Sequence, residues 1–307
     1  VTSARTQSDV WTTRRLIAWM QEAFARKDLD SPRLLAEMLM AHVVGCDRLK
    51  LYLDPDRPAS PLERDTLRNL VGRALKHEPV QYLVSEAWFF SLPFHVDRRV
   101  LIPRPATETI VEEVLQNLRA RHGPSATKGE GVLIADVCSG SGCIAVALLK
   151  NLPGARVVAT ELSADAVEVA RSNAVRHGVL DRLDILTGDL LAPLLNYPTT
   201  RGTGALDYLV SNPPYIPDDE WTDVAPNVKD HEPHLALRGG ADGLDYVRRL
   251  LEGGPRLVKP DGLMLIEVAD SRAGKARELV EAHANMTDVR VLKDFEGLPR
   301  VIIARKR

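Results

Sequence analysis

From residue 107 to the end of the chain, short apolar runs alternate with stretches of helical periodicity, and that alternation leaves few folds open. Val132–Val137 reads as a first buried strand and Gly142–Asn151 as a helix. Arg156–Glu161 is a second strand, and Ser163 caps a helix running to about His177. Leu183–Thr187 and Leu206–Val210 are the third and fourth strands. Residues 241–257 are helical, Leu263–Val268 is a fifth strand, and a helix near 272–284 follows. Asp288–Leu292 and Arg300–Ala304 close the chain as two strands with no long helix between them, which predicts an antiparallel hairpin at one sheet edge. The expected class is α/β, Rossmann-like: a mostly parallel sheet with helices on both faces. Tyr197–Gly204 and Pro217–Pro233 read as loops.

The first part of the chain has a different character. Trp11, Leu16, Ile17, Trp19, Met20 and Phe24 fall at helical spacings. Ser31-Pro32 reads as an N-cap with proline at the first helical position. Ser60-Pro61-Leu62-Glu63 fits a capping box. These signals predict a small helical bundle over residues 1–80. Between 81 and 105, Trp88, Phe89, Phe90, Phe94, Val96, Val100 and Ile102 alternate with turn residues and predict a β-hairpin connector. Residues 106–307 then form the α/β domain.

Composition narrows the function classes. Formal net charge is −2, and residues 1–80 hold 13 Lys and Arg against 11 Asp and Glu. Neither figure gives the basic field that nucleic-acid binding asks for, so a protein partner is favoured and no stable nucleic-acid binding is expected. No apolar run approaches eighteen residues, and the first residues lack the apolar core of a signal peptide, so no membrane association is expected. Cys46, Cys138 and Cys143 have neither metal-ligand spacing nor a disulfide framework, which fits a reducing cytoplasm. No metal is expected, and a monomer is favoured.

Asp136-Val137-Cys138-Ser139-Gly140-Ser141-Gly142 ends the first strand and opens a helix. Glycines here allow a tight bend and close ligand approach, and the helix N-terminus offers free N–H groups. Glu161 ends the next strand, where an acidic side chain accepts from both hydroxyls of a ribose. Asp189, after the third strand, is placed to receive an adenine amino group or else to cap a turn. These features alone admit NAD or S-adenosylmethionine. Ala145 stands at the last position of the G-x-G-x-x-G fingerprint, so the loop does not decide between them.

Asn212-Pro213-Pro214-Tyr215 follows the fourth strand. In an open α/β sheet, ligands bind outside the carboxyl ends of the strands, where strands one and four lie side by side. Asn212 before proline is biased to extended backbone, and the two prolines offer carbonyls without N–H groups. The Asn212 side-chain oxygen and a nearby carbonyl then accept both hydrogens of a substrate NH2 group. Tyr215 is expected to pack its ring on the flat substrate group. This equipment holds an amide or amino nitrogen while it is alkylated, which favours a methyl donor over a nicotinamide.

At this point the chain resembles the glutamine-directed S-adenosylmethionine methyltransferases, and most closely the PrmC/HemK family of peptide chain release factor glutamine methyltransferases. Nearly the whole length takes part: Glu78-Pro79-Val80-Gln81-Tyr82-Leu83, Leu92-Pro93-Phe94, Val100-Leu101-Ile102-Pro103-Arg104-Pro105, the glycine loop and the Asn212–Tyr215 tetrapeptide. Glu232-Pro233-His234-Leu235-Ala236-Leu237, Gly239-Gly240-Ala241-Asp242-Gly243-Leu244 and Lys293-Asp294-Phe295-Glu296-Gly297-Leu298-Pro299-Arg300 continue it. The resemblance implies a helical domain that docks the release factor and a seven-stranded class I methyltransferase domain. It implies methylation of the side-chain amide of the glutamine in a Gly-Gly-Gln loop. It carries cofactor contact to Cys138, Ser139, Gly140, Ser141, Gly142, Glu161, Leu190 and Asn212, and glutamine binding to Asn212, Pro213, Pro214 and Tyr215, with catalysis on Asn212, Pro213 and Tyr215. Three residues depart from the family pattern: Cys138 and Ala269 replace glycines, and Ala106 replaces an acidic residue.

Two related activities stay open beside this one. A sister enzyme methylates a glutamine of a large-subunit ribosomal protein, and Ala87-Trp88-Phe89 leans that way while Pro103-Arg104-Pro105 leans back. A DNA adenine methyltransferase uses a similar tetrapeptide but must flip a base and grip phosphates, against the near-neutral charge here. A non-catalytic module that kept the fold is disfavoured by intact Asn212 and Glu161.

Overall fold

The computed structural model describes residues 10–122, 128–200 and 204–307. The chain divides into two compact units: one holds the chain up to Ser85 together with Pro226–His231, the other Glu86–Ala225 and Glu232–Arg307.

The first unit is helical. It contains α1 (Thr13–Ala25), α2 (Pro32–Val44), α3 (Pro61–Ala74) and α4 (Val80–Val84). Leu16, Met20, Phe24, Leu39, Met40, Leu67, Leu70 and Val71 make its core. The Ser60–Glu63 capping box forms in both directions, with Ser60 Oγ accepting from Glu63 N–H and the Glu63 carboxylate accepting from Ser60 N–H. Ser31 precedes α2 as expected, but its side chain makes no capping hydrogen bond. Its backbone is left-handed, at φ 50 and ψ 54, whereas a side-chain cap needs the extended region. Residues 80–84 are helical and not part of the hairpin: Pro79 opens the turn, and Val80 and Leu83 sink into the helical core.

The second unit starts with the hairpin β1 (Glu86–Phe89) and β2 (Leu92–His95). Its two turn residues, Phe90 and Ser91, both have positive φ, the backbone that a two-residue hairpin turn requires. After α5 (Glu108–His122) come β3 (Leu133–Val137), α6 (Cys143–Asn151), β4 (Arg156–Glu161), α7 (Ala164–Arg176), β5 (Leu183–Thr187), α8 (Ala192–Asn196) and β6 (Leu206–Ser211). The short α9 (Pro226–Lys229) groups with the first unit. Then follow α10 (Asp245–Leu257), β7 (Val258–Glu267), α11 (Ala273–Glu281), β8 (Met286–Lys293) and β9 (Pro299–Lys306).

The seven-stranded sheet runs β5-β4-β3-β6-β7-β9-β8. β5 to β7 are parallel, and β9 and β8 close one edge antiparallel. Side-chain alternation sorts the strands between two cores. Ile134, Val157, Tyr208, Val210, Leu263 and Leu265 face α5, α6 and α7. Ala135, Val137, Val158, Leu209, Met264 and Ile266 face α10 and α11. The strand order reverses between β3 and β6, which pair directly, so a crevice opens above their carboxyl ends.

Further boundaries differ from the sequence reading, among them the strand expected at Leu263–Val268, which starts at Val258. The helix expected from residue 241 begins at Asp245, because Gly240 (φ 87) and Gly243 (φ 75) hold a left-handed loop that a helix cannot include. The stretch Pro217–Pro233 contains a 3-10 turn at Asp218–Asp223 as well as α9. Of the expected loop Tyr197–Gly204, residues 201–203 lie outside the described residues.

Candidate active site

The crevice at the reversal is a cleft enclosing about 970 Å³, its open mouth included. One wall is the loop after β3, Cys138–Ser141, with Thr160–Ser163 after β4 and Gly188–Leu190 after β5. The other is Asn212 and Pro214 after β6, with Pro103, Arg104 and Thr107 before α5 and Pro233, Leu235 and Ala236 beyond.

The loop after β3 is built from the inside out. Asp136 is fully buried, and one of its oxygens accepts from the Ser139 hydroxyl at 2.7 Å. Burial pushes its carboxyl up to about 7. Glu161 ties this loop to the next strand: one oxygen accepts from Gly140 N–H at 2.9 Å, the other from Ser163 N–H at 2.9 Å. Each oxygen keeps a lone pair for a further donor. Space for a Cβ is open at Gly140, whereas a Cβ on Gly142 would stand 3.2 Å from that of Ala170. The first glycine therefore leaves room on the cleft side, and the second permits α6 to lie close to α7.

Cys138 has φ 63, the backbone for which a glycine is the natural residue. It lines the cleft and also packs against the second core. Ala269, the other replacement of a glycine, has φ −61 and needs no special backbone. Asp189 lines the cleft, but its carboxylate pairs with Arg249 of α10 at 2.5 Å, and its carbonyl accepts from Ala192 N–H. It thus lines the cleft and holds a turn at once. Nothing in the spacing of the sequence indicated Arg249.

The β6 turn is held by its neighbours. Ser211 Oγ donates to Val137 O at 2.7 Å, locking β6 to β3. Ile216 N–H donates to Leu237 O, and Gly239 N–H donates to Ile216 O. A Cβ on Gly239 would lie 2.7 Å from Tyr215 Cα, and one on Gly243 would lie 2.5 Å from Tyr215 O. The Gly239–Gly243 segment is thus a buttress that only glycine can make at those points.

Asn212 lines the cleft. Its Nδ2 donates to Thr107 Oγ1 at 3.0 Å, while its Oδ1 is buried without a hydrogen-bond partner. A buried amide oxygen left unpaired costs about 1–3 kcal/mol, a deficit that a ligand N–H removes. Pro214 lines the cleft beside it; Pro213 is buried behind and is not part of the lining. Tyr215 is not part of the lining either, and its hydroxyl lies against Glu267 at the end of β7. The structure therefore gathers Cys138, Ser139, Gly140, Ser141, Glu161, Asp189, Leu190, Asn212 and Pro214 around one space and sets Gly142, Pro213 and Tyr215 behind it. Thr107 and Tyr246 line the cleft too and were missed; Thr107 follows the Pro103-Arg104-Pro105 stretch closely but carried no assigned role.

The residues present fit a nucleoside-bearing methyl donor. Glu161 has acceptor capacity at a strand end, the loop before α6 gives open space at Gly140, and Asn212 Oδ1 awaits a donor across the cleft. The strand order and this cleft define a methyltransferase of the Rossmann-like class I type. The chain matches the family model for the PrmC N-terminal domain over residues 15–84 and the methyltransferase small domain over residues 114–230. It is 40% identical to a release factor glutamine methyltransferase of Chlorobaculum tepidum, covering 96% of this chain and 97% of that one. It is 37% identical to the enzyme of the same description from Geobacter sulfurreducens, covering 97% and 98%. The solved catalytic domain of hMettl16, in complex with MAT2A 3'UTR hairpin 6, superposes with a TM-score of 0.53 at 14% identity, over 71% of this chain and 76% of that one, which shows the shared fold alone. The chain belongs to the release factor glutamine methyltransferase family.

Proposed function

We propose that this protein transfers a methyl group from S-adenosylmethionine to the side-chain amide nitrogen of the glutamine in the Gly-Gly-Gln loop of peptide chain release factors. The observation that carries the reading is the unpartnered Asn212 Oδ1 in the wall of a cleft whose other wall presents Glu161 and the glycine loop.

When bound, the cofactor supplies a methyl group activated on a sulfonium. Glu161 takes its ribose hydroxyls, and Cys138–Ser141, Asp189 and Leu190 line the rest of its bed. Asn212 Oδ1 and a carbonyl of the proline pair accept the two N–H bonds of the glutamine amide. An amide nitrogen is a poor nucleophile because its lone pair is delocalised into the carbonyl. Fixing both N–H bonds turns that lone pair toward the methyl group, and orientation of this kind supplies up to roughly 7–11 kcal/mol. The same acceptors would stabilise nitrogen as it becomes positive, which is oxyanion-hole logic with the signs reversed; as the N–C bond forms the methyl–sulfur bond breaks, a neutral thioether leaves, and the amide gives up one N–H proton to solvent. Pro213 stiffens the turn from behind.

The helical residues 1–80 select the protein substrate, and residues 106–307 carry the chemistry, with the hairpin joining them. Among the described residues no helix is long and apolar enough to cross a membrane, and all three cysteines are free, which supports a reducing cytoplasm as the site of action. The test is incubation with isotope-labelled S-adenosylmethionine and, in separate reactions, purified release factors, ribosomal proteins and DNA. Label on the release-factor glutamine, located by mass spectrometry, supports the reading; label only on a ribosomal protein or on DNA overturns it.

A further inference from the structure

Thr107 lies 105 positions before Asn212 in the chain, yet its Oγ1 accepts from Asn212 Nδ2 at 3.0 Å. Thr107 is 1% exposed although it borders the cleft, so its hydroxyl hydrogen is to be satisfied by an acceptor inside the protein. Glu267 stands next to it. Its carboxyl is fully buried and neither oxygen has a hydrogen-bond partner of ordinary geometry, while the Thr107 and Tyr215 hydroxyls bear on it from close by and the charges of Arg300 and Arg104 act on it from further off. Burial pushes this carboxyl up to about 7, as expected of a group kept away from water.

A carboxamide has nearly the same shape with its oxygen and nitrogen exchanged, so its neighbours decide which end faces a substrate. A Thr107 that donated to Asn212 would turn the amide over. Asn212 would then offer N–H groups to a substrate that also offers N–H groups. An acceptor beyond Thr107 prevents this, because it draws off the only hydrogen that the hydroxyl has.

Resting on the amide-holding role of Asn212, we propose that Thr107 and Glu267 are positioning residues: Glu267 accepts the Thr107 hydroxyl, Thr107 stays an acceptor for Asn212 Nδ2, and Asn212 Oδ1 is thereby turned to the incoming amide N–H. The Tyr215 hydroxyl bears on the same carboxyl, which gives the last residue of the tetrapeptide a role behind the pocket.

The test compares T107V, T107S and E267Q for turnover on a purified release factor, for KM of that substrate, for S-adenosylmethionine affinity by calorimetry and for unfolding midpoint. T107V removes the acceptor at constant volume. E267Q keeps the shape but leaves one acceptor oxygen for the two hydroxyls of Thr107 and Tyr215, so the Thr107 hydroxyl is freed to point at Asn212 when Tyr215 takes that oxygen. Both lower kcat by about tenfold to a hundredfold, the range for one misdirected hydrogen-bond partner, with cofactor affinity within about threefold of wild type. T107S restores turnover to within about threefold. A wild-type kcat in T107V or E267Q overturns the proposal, as does a T107S as slow as T107V or a loss confined to cofactor affinity. If T107V does not fold, T107A takes its place: it removes the hydroxyl outright, and a wild-type kcat in it overturns the proposal. A wild-type enzyme that methylates no glutamine amide overturns the function itself, a result distinct from active wild type with unaffected variants.

Discussion

Glu232 accepts the main-chain N–H of Ile102 at 3.0 Å, although 130 positions separate them, and its other oxygen takes the Arg104 guanidinium. Glu232 is 3% exposed. It joins the Pro103–Arg104 segment of the cleft lining to the Pro233–Ala236 segment, so two segments of one wall are set by one buried carboxylate. Glu232→Ala is expected to lose roughly 1.5–3 kcal/mol, the value of hydrogen bonds to a charged group. Urea unfolding measures it, and a stability equal to wild type would contradict the role.

Glu161 is expected to matter twice, once for the Gly140 and Ser163 N–H groups it holds and once for the ribose it receives. Glu161→Ala should weaken S-adenosylmethionine binding by about tenfold or more, since lost charge-assisted hydrogen bonds are worth about 1.5–3 kcal/mol. Calorimetric titration checks this. Unchanged affinity would remove Glu161 from the cofactor bed.

Cys138 carries the backbone strain of a left-handed residue with a side chain, a cost of about 1–2 kcal/mol. Cys138→Gly relieves it and loses some backbone entropy and core packing in return, so the expected change is small, within about 1 kcal/mol of wild type. Cys138→Val places a β-branched residue at the same φ and should destabilise by more than about 1 kcal/mol. Thermal unfolding of the two variants orders them; Val equal to or above Gly would contradict the strain argument.

Asp136 gives a pH dependence of defined sign. Its carboxyl titrates at about 7 in the folded protein, above its ordinary value of 3.8, because burial disfavours the anion. The native state therefore holds the proton more tightly than the unfolded chain does. The stabilisation is full below the unfolded pKa, declines as pH rises, and is gone once pH passes the folded value. Asp136→Asn removes the titration, so it should lose less stability than wild type between about pH 5 and pH 8, a range that brackets the folded value. Urea unfolding across that range measures both slopes, and parallel slopes would contradict the assignment.

The parts of this structure governed by local chemistry were legible in the sequence. β4 and β5 lie where the apolar runs placed them, because Gly154, Ser163 and Gly188 punctuate those runs. The capping box at Ser60 is a short-range device and forms as read. The loop after β3 and the turn after β6 are neighbours for a reason the sequence carries, because parallel sheet topology has few solutions. What stayed hidden depends on long-range pairing. Thr107 with Asn212, Glu232 with Ile102 and Arg249 with Asp189 are separated by 105, 130 and 60 positions, and no local pattern encodes them. α10 starts at Asp245 and not at 241 because Gly240 and Gly243 take a left-handed backbone that excludes helix, a φ that residue identity alone does not fix. Ser31 failed as a side-chain cap for a related reason, since the identity of a residue does not reveal its φ.

The central claim is that Asn212 Oδ1 receives an N–H of the substrate amide. The most direct measurement is turnover of Asn212→Ala on a purified release factor, with S-adenosylmethionine affinity determined on the same preparation. Loss of one preorganised hydrogen-bond partner corresponds to about 2.7–4 kcal/mol, so methyl transfer should fall by roughly 10²–10³ while cofactor affinity stays within a few-fold. Near-normal turnover, or a loss accounted for by cofactor affinity alone, would contradict it.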